Sequence, residues 1–563
     1  MSRGDYDVVI IGSGAGGGTS AWALSKAGLK VLLLEAGPRF DPFGDYKLDT
    51  PEWERPFPNK INPAGRQVFA EMQPLAEKWK HLRSWNHLSG RLNKTDRRQS
   101  FGYHHVLGVG GSSLHFTGEA HRMNPASMQM KTRFGVAADW PMSYQDLEPF
   151  YAQAEDVVGV AGPAQDSIRP RSKPYPQKTH PKSYASTCLE KGFNKLGMEL
   201  TNNALAVLSS PTDGRANCNY CGGCLRGCPR RDKGSIDVTY IREAVATGNC
   251  EVQSGCTVNM IQTGSNDTVK GVHYHDGKDN RFVDAPLLIV ACGAVETPRL
   301  LLMSQNASAP HGLANESGEL GKNFMETLLW TSSGLHPEPM GSHRGLPVDS
   351  ICWDYNKPDA IPGVIGGCRF GPSQAESDLV GPISYANRVV GGWGRGHRDK
   401  MKQTFGHVLS LTGIGESLPN GNTFVSLHPS EKDAFGRPKA YIHSHVDEMA
   451  TKRIEFMRNT CREVLAAAGA GEIFEEFSSY DIFSSTHVFG TCRMGSDPQT
   501  SVVDPWCRSH RWRNLYVVDA SVFPSTGGGE SPGLSIQALA LRAMNKIINS
   551  SVEYSTVRNS EYL

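Results

Sequence analysis

Four thiols fall within eleven residues: Cys218, Cys221, Cys224 and Cys228, followed by Pro229. The spacing C-x2-C-x2-C-x3-C-P is that of the bacterial ferredoxin run, in which thiolates hold iron–sulfur clusters. A zinc site and a disulfide knot are the other chemistries such a run can carry. A second set is built on glycine. Gly12, Gly14 and Gly17 form a Gly-x-Gly-x-x-Gly turn, and Glu35 follows at the distance of a ribose-binding acid. A third set, Gly108-Val-Gly110-Gly111-Ser112-Ser113-Leu-His115, lets backbone N–H groups approach a planar or anionic ligand. A fourth lies near the end: His487 before Gly490-Thr491, Asp519-Ala520-Ser521, and Glu530-Ser531-Pro532.

Secondary structure must carry these residues. Asp5 to Ile11 reads as a buried strand, Thr19 to Ala27 as a helix, and Val31 to Leu34 as a second strand ending in Glu35. This is a complete βαβ setting for the first glycine turn: the helix N-terminus offers free N–H groups to a diphosphate. Leu287-Leu-Ile-Val-Ala291 is a second buried strand that enters a glycine turn and a Pro-started helix at Gly293 to Leu301. Leu515 to Val518 leads to Asp519, and a helix runs from Leu534 to Ile548. Further helices are expected at Tyr184–Leu196, Tyr240–Ala246 and Asp447–Ala467. Alternation near Phe424–Leu427 and Ala440–His443 points to an antiparallel sheet within residues 326–480. Val258 lies on a candidate strand and joins the cofactor-binding set. Residues 37–99 are a Pro- and Trp-rich excursion, with Trp53, Trp79, Trp85 and a basic run from Lys94 to Arg98.

Composition narrows the class. At 563 residues two or more cores are expected. Lys and Arg number 58 against 57 Asp and Glu, so no basic excess speaks for nucleic acid. The start of the chain shows no secretory pattern, and no apolar run reaches ~18 residues, so a cytoplasmic location without a spanning helix is expected. The 13 cysteines are an odd number and mostly scattered in apolar contexts, which makes a disulfide framework improbable.

Taken together, the motifs resemble the glucose–methanol–choline (GMC) flavoprotein oxidoreductases. The matching residues are Gly12-x-Gly14-x-x-Gly17 with Glu35, Gly110-Gly111-Ser112-Ser113, and Gly293-Ala294-x-Glu296-Thr297-Pro298-x-Leu300-Leu301. Gly318-x-x-Gly321-Lys-Asn323-Phe-Met325, His487-x-x-Gly490-Thr491 and Asp519-Ala520-Ser521 complete the set. The resemblance implies an α/β fold: a Rossmann-like FAD-binding domain made from segments 1–45, 100–160, 230–325 and 481–563. Segments 46–99, 161–229 and 326–480 would form an α+β substrate domain with an antiparallel sheet, together with the cysteine segment. It places FAD on Gly12, Gly14, Gly17, Glu35, Gly110, Gly111, Ser112, His115, Val258, Asp519 and Ala520. In some members a histidine at the place of His115 is bonded covalently to the flavin; in others it is not, and both readings stand.

His487 matches the histidine that takes the substrate hydroxyl proton while hydride passes to flavin N5. The chemistry is sound from first principles, because an alcohol is a poor hydride donor until its proton is leaving and an imidazole titrates near neutrality. The family has Asn or His where this chain has Ser531; serine can donate a hydrogen bond but cannot act as base, and Glu530 is the alternative partner. The cysteine run resembles that of membrane-linked bacterial sugar and polyol dehydrogenases, whose electrons pass to a cytochrome and which are exported with a small, signal-bearing subunit. A periplasmic location is therefore the alternative. Long-chain alcohol and sterol oxidases carry a rather similar run. The favoured reading is a dehydrogenase of a sugar, glycoside or polyol with a three- or four-iron cluster at Cys218, Cys221, Cys224 and Cys228, since redox-inert zinc adds nothing to electron flow. Trp330, Trp353, Trp393, Arg369 and Arg388 are candidate sugar contacts. An oxidase with structural cysteines is the second reading. A non-catalytic subunit is the third, against which His487 and the full fingerprint speak.

Overall fold

The computed structural model describes residues 6–46, 70–72, 77–82, 99–100, 105–164, 166, 168–374, 379, 381–480, 482–483 and 487–560. Most of the Pro- and Trp-rich excursion, including Trp53, Trp85 and the Lys94–Arg98 run, lies outside them. Trp79 lies within and is buried in an apolar cluster with Leu82.

A five-stranded parallel sheet organises the nucleotide-binding part. Its order is Leu515–Val517, Leu287–Val290, Val8–Ile11, Val31–Glu35, Cys250–Ser254. Parallel strands covered on both faces read as unbroken apolar runs, which is why Val8-Val-Ile-Ile11 and Leu287-Leu-Ile-Val290 are legible in the sequence. The register is level: Ile11 pairs with both Leu34 and Val290, and Val290 pairs with Val517. All strands therefore end along one edge, from which Gly12, Glu35, Gly293 and Asp519 emerge. Such a carboxyl edge is where ligands bind in open parallel sheets.

A four-stranded antiparallel sheet builds the other lobe, in the order Cys368–Pro372, Val408–Gly415, Leu328–Leu335, Ile473–Ser478. The Glu448–Ala467 helix covers it, opened by Asp447, whose Oδ1 accepts the Ala450 N–H at 2.8 Å. Ile454, Met457, Cys461 and Val464 recur every three or four residues and pack on Trp330, Leu409 and Leu411. The Phe424–Lys432 and Pro438–Ser444 strands pair antiparallel in a separate small sheet.

Two expected helices differ in detail. The one read at Tyr240 begins as a π-turn at Asp237–Ile241 and continues as an α-helix over Arg242–Ala246. The last helix runs Gly533–Ser560, past Ile548, where the apolar period that marked it in the sequence ends. All 13 cysteines are free thiols. Among the described residues no helix is long and apolar enough to cross a membrane.

Candidate active site

Two glycine turns face each other at the carboxyl edge of the parallel sheet. Gly12 has φ +90°, and a Cβ there would lie 2.5 Å from the Ala291 carbonyl oxygen, so no other residue fits the turn. A Cβ on Gly17 would come within 1.8 Å of Gly12 O, which shows how closely the Ala15–Lys26 helix packs on it. Gly14 is different. Its only outside neighbour is the Cα of Gly111 at 3.9 Å, so a space stays open above the helix N-terminus. That terminus has no side-chain cap. Its unpaired N–H groups and partial positive charge suit a diphosphate.

Glu35 Oε2 accepts from Ser13 N at 3.0 Å and Ser13 Oγ at 2.6 Å, and Oε1 accepts from Gly37 N at 2.8 Å. The Ala36 N–H also reaches this carboxylate, so its position at the strand end is fixed by four donors. Burial pushes the Glu35 carboxyl up, and these hydrogen bonds pull it back. Ser13 Oγ in turn accepts from Gly110 N at 3.0 Å, which joins the two turns. FAD fits this cradle: the open space at Gly14, the uncapped helix and the Glu35 carboxylate at the end of the second strand match a dinucleotide. Ser112 Oγ accepts from Val106 N, and His115 closes the Gly111–Leu114 turn with its N–H on Ser112 O at 3.2 Å.

Asp519 braces the cradle from below. Its Oδ2 accepts from Gly293 N at 3.0 Å and Thr297 Oγ1 at 2.6 Å, and Oδ1 accepts from Ser521 N. Ala520 is buried, and its carbonyl accepts from Gly490 N at 3.2 Å. Val258 is buried in the Thr257–Thr263 strand, with its carbonyl on Arg437 Nη1.

His487 stands where the two lobes meet. Its carbonyl accepts from Thr327 N, one residue before the Leu328–Leu335 strand, and the Val488–Phe489 strand after it pairs with Met325–Glu326. Burial pushes the His487 imidazole down to about 4, against the upward pull of the Glu119 charge and with Arg369 adding to the fall. The ring is therefore neutral at neutral pH and able to accept a proton. Glu119 belongs to a buried cluster. Arg369 Nη2 donates to its Oε2 at 2.6 Å, Ser531 Oγ donates to Oε2 at 2.8 Å, and Asn203 Nδ2 donates to Oε1 at 3.0 Å. Burial alone would raise this carboxyl; Arg369, His121, Ser531 and Asn203 outweigh it and hold the group at about 2. His121 Nδ1 accepts from Ser531 N at 3.0 Å, so its proton sits on Nε2, donating to Asn203 Oδ1 at 2.9 Å. Burial keeps it neutral, with its affinity for a proton lowered to about 3.

Ser531 thus donates its hydroxyl hydrogen bond to Glu119. Replacing Ser531 by alanine should cost about ten- to a hundredfold in kcat/KM, because a hydrogen bond to a charged group is worth about 1.5–3 kcal/mol; steady-state kinetics beside the parent chain would check it. Glu530 turns the other way. Its Oε1 accepts from Arg169 Nη2 at 2.9 Å, Asn356 Nδ2 at 2.9 Å and Asn124 N at 3.1 Å. Arg169 lies 4.0 Å over the Trp353 ring, whose edge meets His121.

The aromatic and basic residues read as sugar contacts separate into groups. Trp353 and Arg369 belong to the site. Trp330 is fully buried and donates to Ser332 Oγ, Arg388 pairs with Glu475 on the outer strand of the sheet, and Trp393 stands in solvent.

The cysteine loop packs beside the His115 turn. Lys233, buried, donates to Cys224 O at 2.7 Å, Leu114 O at 2.9 Å and Phe116 O at 3.0 Å. Cys218 Sγ accepts from Tyr220 N at 3.3 Å, and Cys228 Sγ donates to Asp232 Oδ1 at 3.0 Å. Burial and Asp232 raise Cys218 and Cys228 to about 12, and the Cys221 and Cys228 thiols add to the rise at Cys218. Cys224 is pushed well up by burial. The described residues contain no group of three or more such side chains set to hold one metal ion. A compact single-ion site of the zinc kind is therefore not built here. Cys218 and Cys224 lie in the electrostatic field of the neighbouring thiols.

Sequence reasoning missed Glu119, His121 and Asn203. The signal was period two: Glu119 and His121 share one face of an extended segment directly after the second glycine turn. It also missed Lys233, which in Arg230-Arg-Asp-Lys233 reads as one of several solvated charges.

Comparison with known proteins follows the same lines. The N-terminal model of the family described as GMC oxidoreductase matches residues 108–328, and its C-terminal model matches residues 419–540. A Rossmann-like NAD(P)-binding model matches residues 10–45. The fructose dehydrogenase large subunit of Gluconobacter japonicus is 28% identical over 548 residues, covering 96% of this chain and 98% of that one. The 2-methyl-1,2-propanediol dehydrogenase of Mycolicibacterium austroafricanum is 28% identical, covering 96% and 95%. The paromamine 6'-oxidase of Streptomyces fradiae is also 28% identical, covering 98% and 93%. Among solved structures, pyridoxine 4-oxidase from Mesorbium loti superposes with a TM-score of 0.59 at 19% identity, over 96% of this chain and 99% of that one, a likeness of fold.

Proposed function

The chain belongs to the GMC oxidoreductase family, and we propose that it is a dehydrogenase oxidising an alcohol group of a sugar, glycoside or polyol. That it is an FAD-dependent oxidoreductase of CH–OH donors follows from the family. The observation that carries the finer reading is the site between the lobes: a neutral His487 beside an ionised, buried Glu119. FAD, when bound in the cradle, supplies the hydride acceptor. His487 accepts the substrate hydroxyl proton at a ring nitrogen, and the fixed charge of Glu119 stabilises the imidazolium that results. Arg369 holds Glu119 ionised, His121 and Ser531 hold it in place, and Trp353 offers a flat apolar wall for a sugar ring.

The route by which electrons leave is the second part of the proposal. Four thiols in one loop, none in a disulfide and joined by Lys233 to the turn that carries His115, support an iron–sulfur cluster passing electrons singly to an external acceptor such as a cytochrome c, with a small subunit as partner. The name of the Gluconobacter relative, a large subunit, supports the partner. The name of the Streptomyces fradiae relative, an oxidase, favours the competing reading, in which oxygen takes the electrons and the thiols are structural.

One experiment separates them. The purified protein is expected to contain iron and acid-labile sulfide and to show broad absorbance beneath the flavin bands. The Cys224→Ser variant should lose both, keep flavin bleaching by substrate, and lose at least tenfold in reoxidation by a one-electron acceptor. A protein without iron that consumes oxygen stoichiometrically with a fatty or sterol alcohol would establish the oxidase instead. A panel of sugars, glycosides, polyols and fatty alcohols, tested anaerobically for bleaching, identifies the substrate.

A further inference from the structure

The substrate lobe carries a projection that the site does not use. After the sheet edge the chain passes Pro382–Tyr385, turns at Gly391-Gly392-Trp393-Gly394 and enters the Gly394–Thr404 helix. Trp393 is 91% exposed, the most exposed large apolar side chain among the described residues, and Ile383 is 60% exposed. Gly391, Gly392 and Gly394 all have positive φ, and a Cβ on any of them would meet nothing within 4 Å. The tryptophan therefore rides on an open tip.

The helix behind it has no buried residue. Its inner side is held by half-buried Met401, which packs against the small cluster of Leu379, Tyr385 and Val408, and by His397, whose Nδ1 lies 2.6 Å from Gly391 O. Arg395, Arg398 and Lys402 recur at spacings of three and four and so share a face; Lys400 lies between them. Asp399 is the single acid of the helix. Among the described residues Arg395, Lys400 and Lys402 make no ion pair. A helix of this length is marginal in water, and like charges three and four apart weaken it further. In a chain whose overall charge is only +1, four cations in eight residues against the single Asp399, which pairs with Arg398, leave a net cationic face among the described residues that suits an anionic surface outside the molecule.

We propose that this tip docks the enzyme on an anionic lipid surface, Trp393 entering the headgroup layer and the cationic face lying along it. An indole is suited to that layer, with an apolar body and a polar N–H. Basic side chains beside a membrane gain from its negative surface potential. An acidic protein is the weaker fit. Protein interfaces centre on contiguous apolar patches depleted in lysine, whereas Trp393 is ringed by bare glycine backbone.

The test is co-sedimentation of the full-length holoenzyme with vesicles of phosphatidylcholine alone and of phosphatidylcholine with phosphatidylglycerol. Binding is expected only to the anionic vesicles, and high salt should release it. The triple variant Arg395→Gln/Arg398→Gln/Lys402→Gln should bind about a hundredfold more weakly, about fivefold for each cation removed. Trp393→Ala should weaken binding at a fixed charge. Both variants should keep substrate-driven flavin bleaching, which shows that they fold. Equal binding by the parent chain and the triple variant, binding to neutral vesicles alone, or no vesicle binding with capture of an acidic protein instead would each overturn the proposal.

Discussion

Replacing His487 by alanine is expected to abolish substrate-driven bleaching of the flavin, with kcat falling by about 10²–10⁴, the contribution of a positioned general base. The loss should fall on kcat and kcat/KM together, because the proton is taken only as the transition state forms. Stopped-flow absorbance under anaerobic conditions measures it directly. Bleaching at an undiminished rate would show that another group takes the proton. The parent enzyme should also show a pH limb with the same cause. The imidazole is pushed down to about 4 by burial, so kcat/KM should be flat through neutrality and fall only as pH drops through about 4. A limb near the ordinary histidine value would mean that the site is wetter than its packing implies.

Arg369→Met is the second substitution with a large effect. Arg369 is the charge that most strongly opposes the burial of Glu119, through an ion pair at 2.6 Å with both side chains almost inaccessible to solvent. Removing one partner of a buried pair leaves the other uncompensated and typically costs about 3–5 kcal/mol. Thermal unfolding should therefore fall by several degrees, and kcat/KM should drop because Glu119 then takes up a proton or moves away from His487. The double variant Glu119→Gln/Arg369→Met should recover part of the stability, since no charge is left stranded. The sign of the pH effect is fixed. Glu119 is held at about 2 in the folded chain against an ordinary 4.5. The stabilisation from this group is therefore complete above the ordinary value and is lost as pH falls from there through about 2. A variant lacking the pair should lose that part of its acid sensitivity, which unfolding followed across that window would reveal.

The parallel sheet was legible because burial on both faces forces unbroken apolar strands, and because Gly12 and Gly293 turn the chain at positive φ, which glycine adopts freely. His487 was legible only through its motif; a lone histidine before Val488-Phe489 has no local mark of chemistry. The Glu119 cluster was hidden for a different reason. Its members come from four separate stretches, at 119–121, 203, 369 and 531, and a buried polar network is defined by who satisfies whom, which no local pattern encodes. Arg369 sits in Cys-Arg-Phe, a strand like any other, until Glu119 and the Gly529 carbonyl are seen to receive its guanidinium. Ser531 shows the limit from the opposite side. The motif directs attention to its hydroxyl, yet that hydroxyl already donates its hydrogen bond to Glu119.

Lys233 bears on the order in which the protein matures. Its ammonium grips carbonyls on either side of His115 from a position 119 residues away from Leu114, while also holding the carbonyl of Cys224. The cysteine loop cannot reach its final shape until that long span of chain has closed. A nascent or half-folded chain exposes four unclamped thiols to oxidation and to adventitious metals. Closure of the cysteine loop is thereby tied to completion of the nucleotide-binding half, because one buried ammonium holds both.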